Sequence, residues 1–288
     1  MVKNYPFEEH TVTTEDGYIL TLFRIQKKGQ KQIIEGLKPV FIQHGLMCSA
    51  DDFVYNQENS VGLYLADQGY DVWFGNNRGN KYSLSHTTLD IKSEAYWDFS
   101  FQELGRYDLP ANLKYVTQTT GFDKISYIGH SQGTSQMFAA LGDPETSQVV
   151  QGMVDIFFAM APIVYLANET SSTLRDLVNH SALIVEALKL FGVYHIAAGT
   201  CSLDSKEAEA KALFCTAFQY ICDDFLLIAD ADPIYDNTER FPTFIKHFPS
   251  GASTREFYHY RQFIKMDRES PVFQRYDFGK DENEKRYG

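Results

Sequence analysis

Short apolar runs recur along the first half of the chain and predict the strands of a sheet. Val40–Gln43 and Asp71–Gly75 are nearly continuous apolar runs, which are typical of strands buried on both faces of a parallel sheet. Ahead of them, Tyr18–Ile25 follows the turn Glu15-Asp16-Gly17 and is predicted to pair with His10–Thr14. The chain is therefore expected to enter its sheet through a hairpin.

Segments with helical spacing separate the apolar runs. Further strands are predicted at Lys124–Ile128 and Met153–Met160. Because strands that alternate with helices imply right-handed βαβ units, residues 39–162 indicate an α/β fold class with a mostly parallel sheet. The predicted helices are Phe53–Gln68, Tyr96–Tyr107, Pro110–Thr119 and Gln132–Leu141.

The pattern changes after Pro162, where helical spacing replaces the alternation of strands and helices. Apolar residues recur at that spacing over Ser172–Ala198 and again over Ser205–Leu227. This region is predicted to be a helical insertion above the sheet. The predicted divisions are a core over residues 1–162, a helical cap over residues 163–266 and a terminal core segment over residues 267–288.

The composition supports a packed domain and excludes one class of partner. Hydrophobic residues make up 44% of the 288 residues and aromatic residues 15%, which is ample for a core. The formal net charge of −12 repels phosphate backbones, so nucleic acid is not an expected partner. No apolar run is long enough to span a bilayer. The N-terminus lacks the apolar core of a signal peptide, which leaves open a cytosolic chain or one whose leader has been removed.

The sequence GHSQG at residues 129–133 predicts a nucleophile elbow. A predicted strand ends directly before it and a predicted helix begins at Gln132, which is the setting that this motif requires. Gly129 and Gly133 leave room for a turn so sharp that Ser131 is strained and its hydroxyl is exposed. The same letters also fit an ordinary glycine-rich turn with a capping serine. The flanking elements favour Ser131 as a nucleophile.

The stretch His44-Gly45-Leu46 predicts the second half of an oxyanion hole, since it follows an earlier central strand. Gly45 allows a sharp turn, so that the backbone N–H of Leu46 can join that of Gln132. His44 precedes Ser131, whereas the expected order is serine, acid, histidine. It is therefore expected to pack behind the site through its ring N–H rather than to act as a base.

Six longer stretches carry a family resemblance: TEDGYIL (14–20), QHGL (43–46), LADQGYDVWFGNNRGNKYS (65–83), YWDFSFQELGRYDLPA (96–111), GHSQGT (129–134) and FFAMAPI (157–163). They closely resemble the acid lipases, the gastric, lysosomal acid and steryl-ester lipase branch of the α/β-hydrolases. HFPSGAS (247–253) and YDFG (276–279) extend the resemblance more loosely, so that it spans nearly the whole chain.

The resemblance implies an α/β-hydrolase fold with a helical cap, and the hydrolysis of triacylglycerols, steryl esters or similar long-chain esters. It identifies Ser131 as the nucleophile and Leu46 and Gln132 as oxyanion-hole positions, with no metal or organic cofactor. The insertion then corresponds to a cap and lid that contact a lipid surface, although Leu183–Leu190 also fits a core-facing helix. Members of the family are secreted or lysosomal, and the sequence gives no indication of oligomeric state.

The cysteines and two short motifs bear on the compartment. The resemblance implies a disulfide between Cys201 and Cys215, with Cys222 free. In a cytosolic protein, free buried thiols are the ordinary state. Asn168 and Asn179 begin N-glycosylation sequons, which matter only if the chain is secreted.

The sequence lacks an acid and a base at the positions where the resemblance expects those of a catalytic triad. The resemblance puts both beyond the cap, after two final strands, whereas only the nine residues Lys280–Gly288 follow YDFG, and this highly charged tail offers no closing element. We therefore expect a C-terminally incomplete lipase. The strand Met153–Met160 would then be a bare apolar edge, and the isolated chain would be unstable or poorly soluble.

Other residues offer alternative triad partners. Asp230 and His247 follow Ser131 in the correct order, and Phe241–His247 looks like a strand that leads to a histidine. His259 is interpreted as a helical residue among aromatic neighbours, and the remaining candidates, His180 and His195, as cap residues.

Two functional hypotheses remain open. In the first, the chain is an ester hydrolase whose acid and base lie beyond Gly288. In the second, it is a non-catalytic lipid-binding or regulatory protein that keeps the elbow and the cap but not the base. An unrelated peptidase or thioesterase on the same fold is disfavoured by the cap and the longer stretches.

Overall fold

A seven-stranded sheet forms the centre of the molecule. The structure, a computed structural model, describes residues 2–170, 186, 189–196 and 237–288. The sheet order is β1-β2-β4-β3-β6-β7, with β5 beside β2; β3, β4, β6 and β7 run parallel, and the hairpin pairs antiparallel. The strands are β1 Phe7–Thr13, β2 Tyr18–Ile25, β3 Pro39–Gln43, β4 Asp71–Gly75, β5 Ser85–His86, β6 Ile125–His130 and β7 Val154–Met160.

Helices and one small second sheet complete the described part of the chain. Two-residue strands β8 (His195–Ile196) and β9 (Ala252–Ser253) pair antiparallel within the predicted cap range. None of the described helices is long and apolar enough to cross a membrane. The helices are α1 Val61–Asp67, α2 Phe101–Glu103, α3 Leu109–Thr120, α4 Gln132–Gly142, α5 Pro144–Met153, α6 Phe241–His247, α7 Thr254–Ile264 and α8 Lys280–Tyr287.

The predicted mostly parallel α/β fold is confirmed, and the strand positions agree closely with the sequence pattern. On β3, Val40 and Ile42 pack into the layer on the α1 side, whereas Phe41 packs into the opposite layer with residues of α3 and α4. Every residue of β3 is buried. A strand covered on both faces needs apolar residues at consecutive positions, which explains the continuous run.

Three helical predictions were wrong in detail. The helix predicted over Phe53–Gln68 is confined to α1, because Gln57 has a positive φ of 53° in the preceding turn. The two helices predicted over residues 96–107 and 110–119 form one helical run over residues 101–120, joined by a π-helical turn at Leu104–Asp108. The charged tail, for which the sequence predicted no helix, forms α8, where the Tyr287 hydroxyl donates to the Tyr276 carbonyl at 2.9 Å.

A buried arginine joins three of the stretches that carry the family resemblance. The Arg78 guanidinium donates to Asp108 at 2.7 Å and to Asp16 at 2.6 Å, and it lies 3.7 Å over the Tyr18 ring. Arg78 and Asp108 are almost fully buried. Removing one partner of such a pair leaves an uncompensated buried charge, so the three stretches depend on one another for folding.

The outer strand β7 carries the apolar edge that the sequence predicts. Ile156, Phe158 and Met160 are 46%, 51% and 41% exposed. Among the described residues, no strand pairs with the outer side of β7. Poor solubility of the isolated chain stays a prediction.

Candidate active site

Ser131 occupies the turn between β6 and α4, in the strand–turn–helix setting that the sequence predicts. Its backbone has φ 52° and ψ −116°, a conformation that non-glycine residues rarely adopt. The Ser131 N–H donates to the Met160 carbonyl oxygen at 2.9 Å, which ties the turn to the end of β7. Such a strained turn holds the Ser131 side chain clear of both flanking elements.

The two elbow glycines are required by close backbone contacts. A methyl group on Gly129 would lie 2.6 Å from the Gly133 carbonyl oxygen. One on Gly133 would lie 2.5 Å from the carbonyl oxygen of Gln43, at the end of β3. Any larger side chain would therefore push α4 away from the sheet and alter the position of Ser131.

The loop after β3 runs directly past Ser131. A methyl group on Gly45 would lie 3.1 Å from the Ser131 Cβ and 3.4 Å from its Oγ. The next residue is Leu46, and Gln132 begins α4 on the other side of the serine. The loop that carries Leu46 therefore passes beside Ser131, and Gln132 follows Ser131 at the N-terminus of α4; their oxyanion-hole role stays a prediction.

His44 is buried behind this loop, as the sequence predicts. Its Nδ1 bonds to the Gly45 carbonyl oxygen at 2.8 Å, and its Nε2 accepts the Asn77 N–H at 3.1 Å. Burial lowers the pKa of His44 to about 4, so the ring is neutral near pH 7. Both ring nitrogens are occupied, which gives His44 a structural role.

His247 lies in an ion-pair cluster rather than beside Ser131. Its Nδ1 is 2.9 Å from the Asp51 Oδ2, and the Lys81 Nζ is 2.5 Å from the same oxygen. Although burial opposes ionisation, the hydrogen bond from His247 and the charge of Lys81 hold the pKa of Asp51 well below its usual range. The segment that looks like a strand in the sequence is the helix α6, which ends at His247. Its suggested partner Asp230 lies outside the described residues.

The remaining histidine and cysteine predictions have separate outcomes. His259 lies in α7 and stacks on Phe101 at 4.0 Å, which confirms a helical residue among aromatic neighbours. His195 lies in β8 rather than in a predicted helix, and its ring packs on Trp97 at 4.7 Å. The other predicted residues, His180, Cys201, Cys215 and Cys222, lie outside the described residues, as does Asn179.

Within the part of the chain that the structure describes, the Ser131 hydroxyl has no hydrogen-bonded base. No histidine there donates to or accepts from its Oγ. The same ranges contain no group of three histidine, cysteine or acidic side chains placed to hold a metal ion. Ser131, its strained turn and the two neighbouring backbone segments are thus brought together without a proton acceptor among the described residues.

Glu256 is a residue at the site that the sequence analysis missed. The Gln132 Nε2 donates to its Oε1 at 2.6 Å, and the Ser253 N–H donates to its Oε2 at 2.7 Å. Burial raises the pKa of the Glu256 carboxyl to about 8. The available signal was the capping-box pattern Ser253-x-x-Glu256, which predicts a helix start but not the contact with Gln132.

Comparisons with known proteins found matches among lipases and α/β-hydrolases. Two family models match, one described as a partial alpha/beta-hydrolase lipase region over residues 2–57 and one as the alpha/beta hydrolase fold over residues 38–156. Lipase member K of Homo sapiens is 37% identical over 96% of this chain and 67% of its own length. Gastric triacylglycerol lipase of Mus musculus and lysosomal acid lipase/cholesteryl ester hydrolase of Macaca fascicularis are each 34% identical, again over 96% of this chain and 67% of their own length.

Proposed function

Since the chain belongs to the acid lipase family of the α/β-hydrolases, we propose that Ser131 is the nucleophile of its ester hydrolysis. The single observation that supports this role most strongly is the backbone of Ser131. A φ of 52° in a serine between a buried strand and a helix is strained, and capping a helix does not require it. The strain accompanies a close approach of the backbone. Two backbone segments lie beside the Ser131 hydroxyl because Gly129, Gly133 and Gly45 have no side chains.

The proposed reaction is acyl transfer to Ser131 followed by hydrolysis. The Ser131 hydroxyl gives its proton to a base as its oxygen attacks the ester carbonyl carbon. The N–H groups of Leu46 and Gln132 bind the oxyanion of the tetrahedral intermediate. The intermediate collapses as its bond to the alkoxide oxygen breaks and the base returns the proton to the departing alcohol. Water then attacks the acyl-enzyme and releases the carboxylic acid. No metal or organic cofactor takes part in these steps.

The base and its acid are proposed to come from outside the described residues. Among the described histidines, the ring of His44 is held by the Gly45 carbonyl oxygen and that of His247 by the Asp51 carboxylate. This proposal replaces the pairing of Asp230 with His247, since the Asp51 contact already occupies the Nδ1 that an orienting acid would need.

The substrate class is proposed from the names of the relatives. One relative is named for triacylglycerol and another for cholesteryl ester, so we propose long-chain esters of glycerol or of a sterol. The cap over residues 163–266, its contact with a lipid–water interface and a disulfide between Cys201 and Cys215 belong to the same proposal. If the chain is secreted or lysosomal, the exposed Asn168 is a candidate glycosylation site.

A fluorophosphonate probe tests the role of Ser131. We expect the complete protein, which on this proposal carries the base and its acid, to be labelled once and its Ser131→Ala variant to be unlabelled, because the probe forms its bond with an activated serine. Ser147→Ala, on the outer helix α5, is the matched control and should label like wild type. Turnover of p-nitrophenyl esters, measured on the same proteins, should follow the labelling. Equal labelling of wild type and Ser131→Ala would contradict the proposal.

A non-catalytic lipid-binding role is the second candidate, and one observation favours it: the described residues give Ser131 no base. In that case neither labelling nor turnover would occur, but the chain would still bind a fluorescent long-chain ester. Binding without labelling in both wild type and Ser131→Ala would therefore select the second candidate over the first.

A further inference from the structure

The segment His247–Glu256, here called the clamp segment, contacts both backbone regions beside Ser131. At one end, the Ser250 N–H donates to the Met47 carbonyl oxygen at 2.6 Å. Met47 directly follows Leu46 and has a positive φ of 59°, so its peptide groups are held in an unusual orientation. His247 reinforces this contact through its bond to Asp51, on the same loop.

At the other end, Glu256 holds the side chain of Gln132. The two residues are 124 positions apart in sequence, and each is only 2% exposed. The Gln132 Oε1 is buried without a partner among the described residues, so the 2.6 Å bond to Glu256 is what orients this amide. Fixing the side chain of the first residue of α4 restricts rotation of that turn, and with it the direction of the Gln132 N–H.

We propose that the clamp segment positions the oxyanion hole, with Glu256 as the positioning residue for Gln132 and His247 for the loop that carries Leu46. The inference rests on the proposed function, which assigns the two backbone donors. Neither Glu256 nor His247 touches the substrate. Their effect is to keep the donors in the geometry that binds developing negative charge, which is where preorganised donors contribute most.

The simpler role for Glu256 is to cap α7, and the chain contains a matched control for it. Ser100 and Glu103 form a second capping box at α2, in which the Ser100 N–H donates to the Glu103 carboxylate at 2.6 Å. Ser253 and Glu256 form the same arrangement at α7. In the part of the chain that the structure describes, the Glu103 carboxylate bonds to Ser100 and Gln102. The Glu256 carboxylate there combines the cap with a bond to Gln132.

Hydrogen–deuterium exchange of the whole chain tests the clamp without requiring activity. Glu256→Ala should raise exchange in peptides over residues 131–137 by about tenfold or more, because local opening there becomes easier. Glu103→Ala should leave these peptides unchanged. Glu256→Gln should stay near wild type, since its amide can donate to the Gln132 Oε1 while its carbonyl accepts the Ser253 N–H. If Glu256→Ala does not fold, Gln132→Met removes the same hydrogen bond from the other side.

The rate of fluorophosphonate labelling gives the functional result. For Glu256→Ala we expect a drop of about 10- to 100-fold at saturating probe, with little change in the concentration that half-saturates the rate. Unchanged exchange over residues 131–137 in Glu256→Ala, or an equal increase in Glu103→Ala, would overturn the clamp. If the complete wild-type protein, with its base and acid, is not labelled, the proposed function fails and the exchange result still decides the clamp.

Discussion

Ser131 shows how single glycines determine the geometry of the site. The serine is held at φ 52° because β6 and α4 meet at a sharp angle, and the meeting is possible only where Gly129 and Gly133 have no side chain. Gly45 serves the same purpose on the loop after β3. The glycines of the motif GHSQG permit close backbone packing, and the chemistry of the serine depends on that packing.

Replacing one elbow glycine should therefore affect both stability and the site. Gly133→Ala places a methyl group 2.5 Å from the Gln43 carbonyl oxygen, and we expect a loss of about 1–3 kcal/mol in the free energy of unfolding together with loss of Ser131 labelling. Gly152→Ala, in the outer helix α5 with nothing within 4 Å, should instead gain about 0.5–1 kcal/mol. Urea denaturation measures both variants. Wild-type stability in Gly133→Ala would show that α4 can move away.

Secondary-structure elements differ in how their surfaces are covered. The inner strand β3 is buried along its whole length, whereas the outer strand β7 has a similar apolar sequence but exposes most of its residues. On β7, Phe157 packs on Tyr127 with the rings 5.6 Å apart, while its neighbour Phe158 is 51% exposed. An apolar parallel strand with an uncovered edge can pair with other chains.

Charged substitutions on the two faces of β7 should have opposite effects. Phe158→Lys should increase the soluble, monomeric fraction with little change in thermal stability, because it places a charge on the exposed face. Phe157→Lys is the matched control, and it should destabilise the chain, because it places an unpaired ammonium in the partly buried contact with Tyr127 and Phe138. Analytical ultracentrifugation and thermal melts give the two readouts. A wild-type chain that is already monomeric, with a cooperative melt, would contradict the expected effect of the edge.

Across the whole molecule, buried titratable groups couple folding to pH. Burial lowers the pKa of His44 to about 4 and that of His259 to about 3, below the ordinary 6.5. The effect of Glu256 on stability depends on pH in the opposite direction. Burial raises its pKa to about 8, so its contribution to the unfolding free energy is lost as the pH rises from 4.5 through 8. The two buried histidines therefore favour the folded state above pH 6.5, and the buried acid favours it at low pH.

Acidification should expose the contribution of His44. Between pH 6.5 and 4 the unfolded chain binds a proton at this residue that the folded chain does not, so stability is lost as the pH falls. From pH 7 to 4.5 the unfolding free energy of His44→Asn should fall by about 2 kcal/mol less than that of wild type. Urea titrations at the two pH values measure the difference. Equal losses in the two proteins would mean that His44 is protonated in the folded state.

The sequence by itself determined the order of strands and helices over residues 39–162, the elbow at Ser131 and the membership of the lipase family. These depend on local periodicity, on glycines at fixed offsets and on long characteristic stretches. The extents of α1 and of the helical run over residues 101–120 depended on turns whose backbone conformation has no clear signal in the sequence.

Only the tertiary structure decided which distant side chains meet. Arg78 with Asp16 and Asp108, His247 with Asp51, and Gln132 with Glu256 are pairs far apart in sequence, and no spacing rule predicts them. The physical reason is that buried polar groups must find partners wherever the packed chain brings donors and acceptors together. For this reason His247, which in sequence resembles a catalytic base, bonds to Asp51. Glu256 bonds to Gln132 for the same reason.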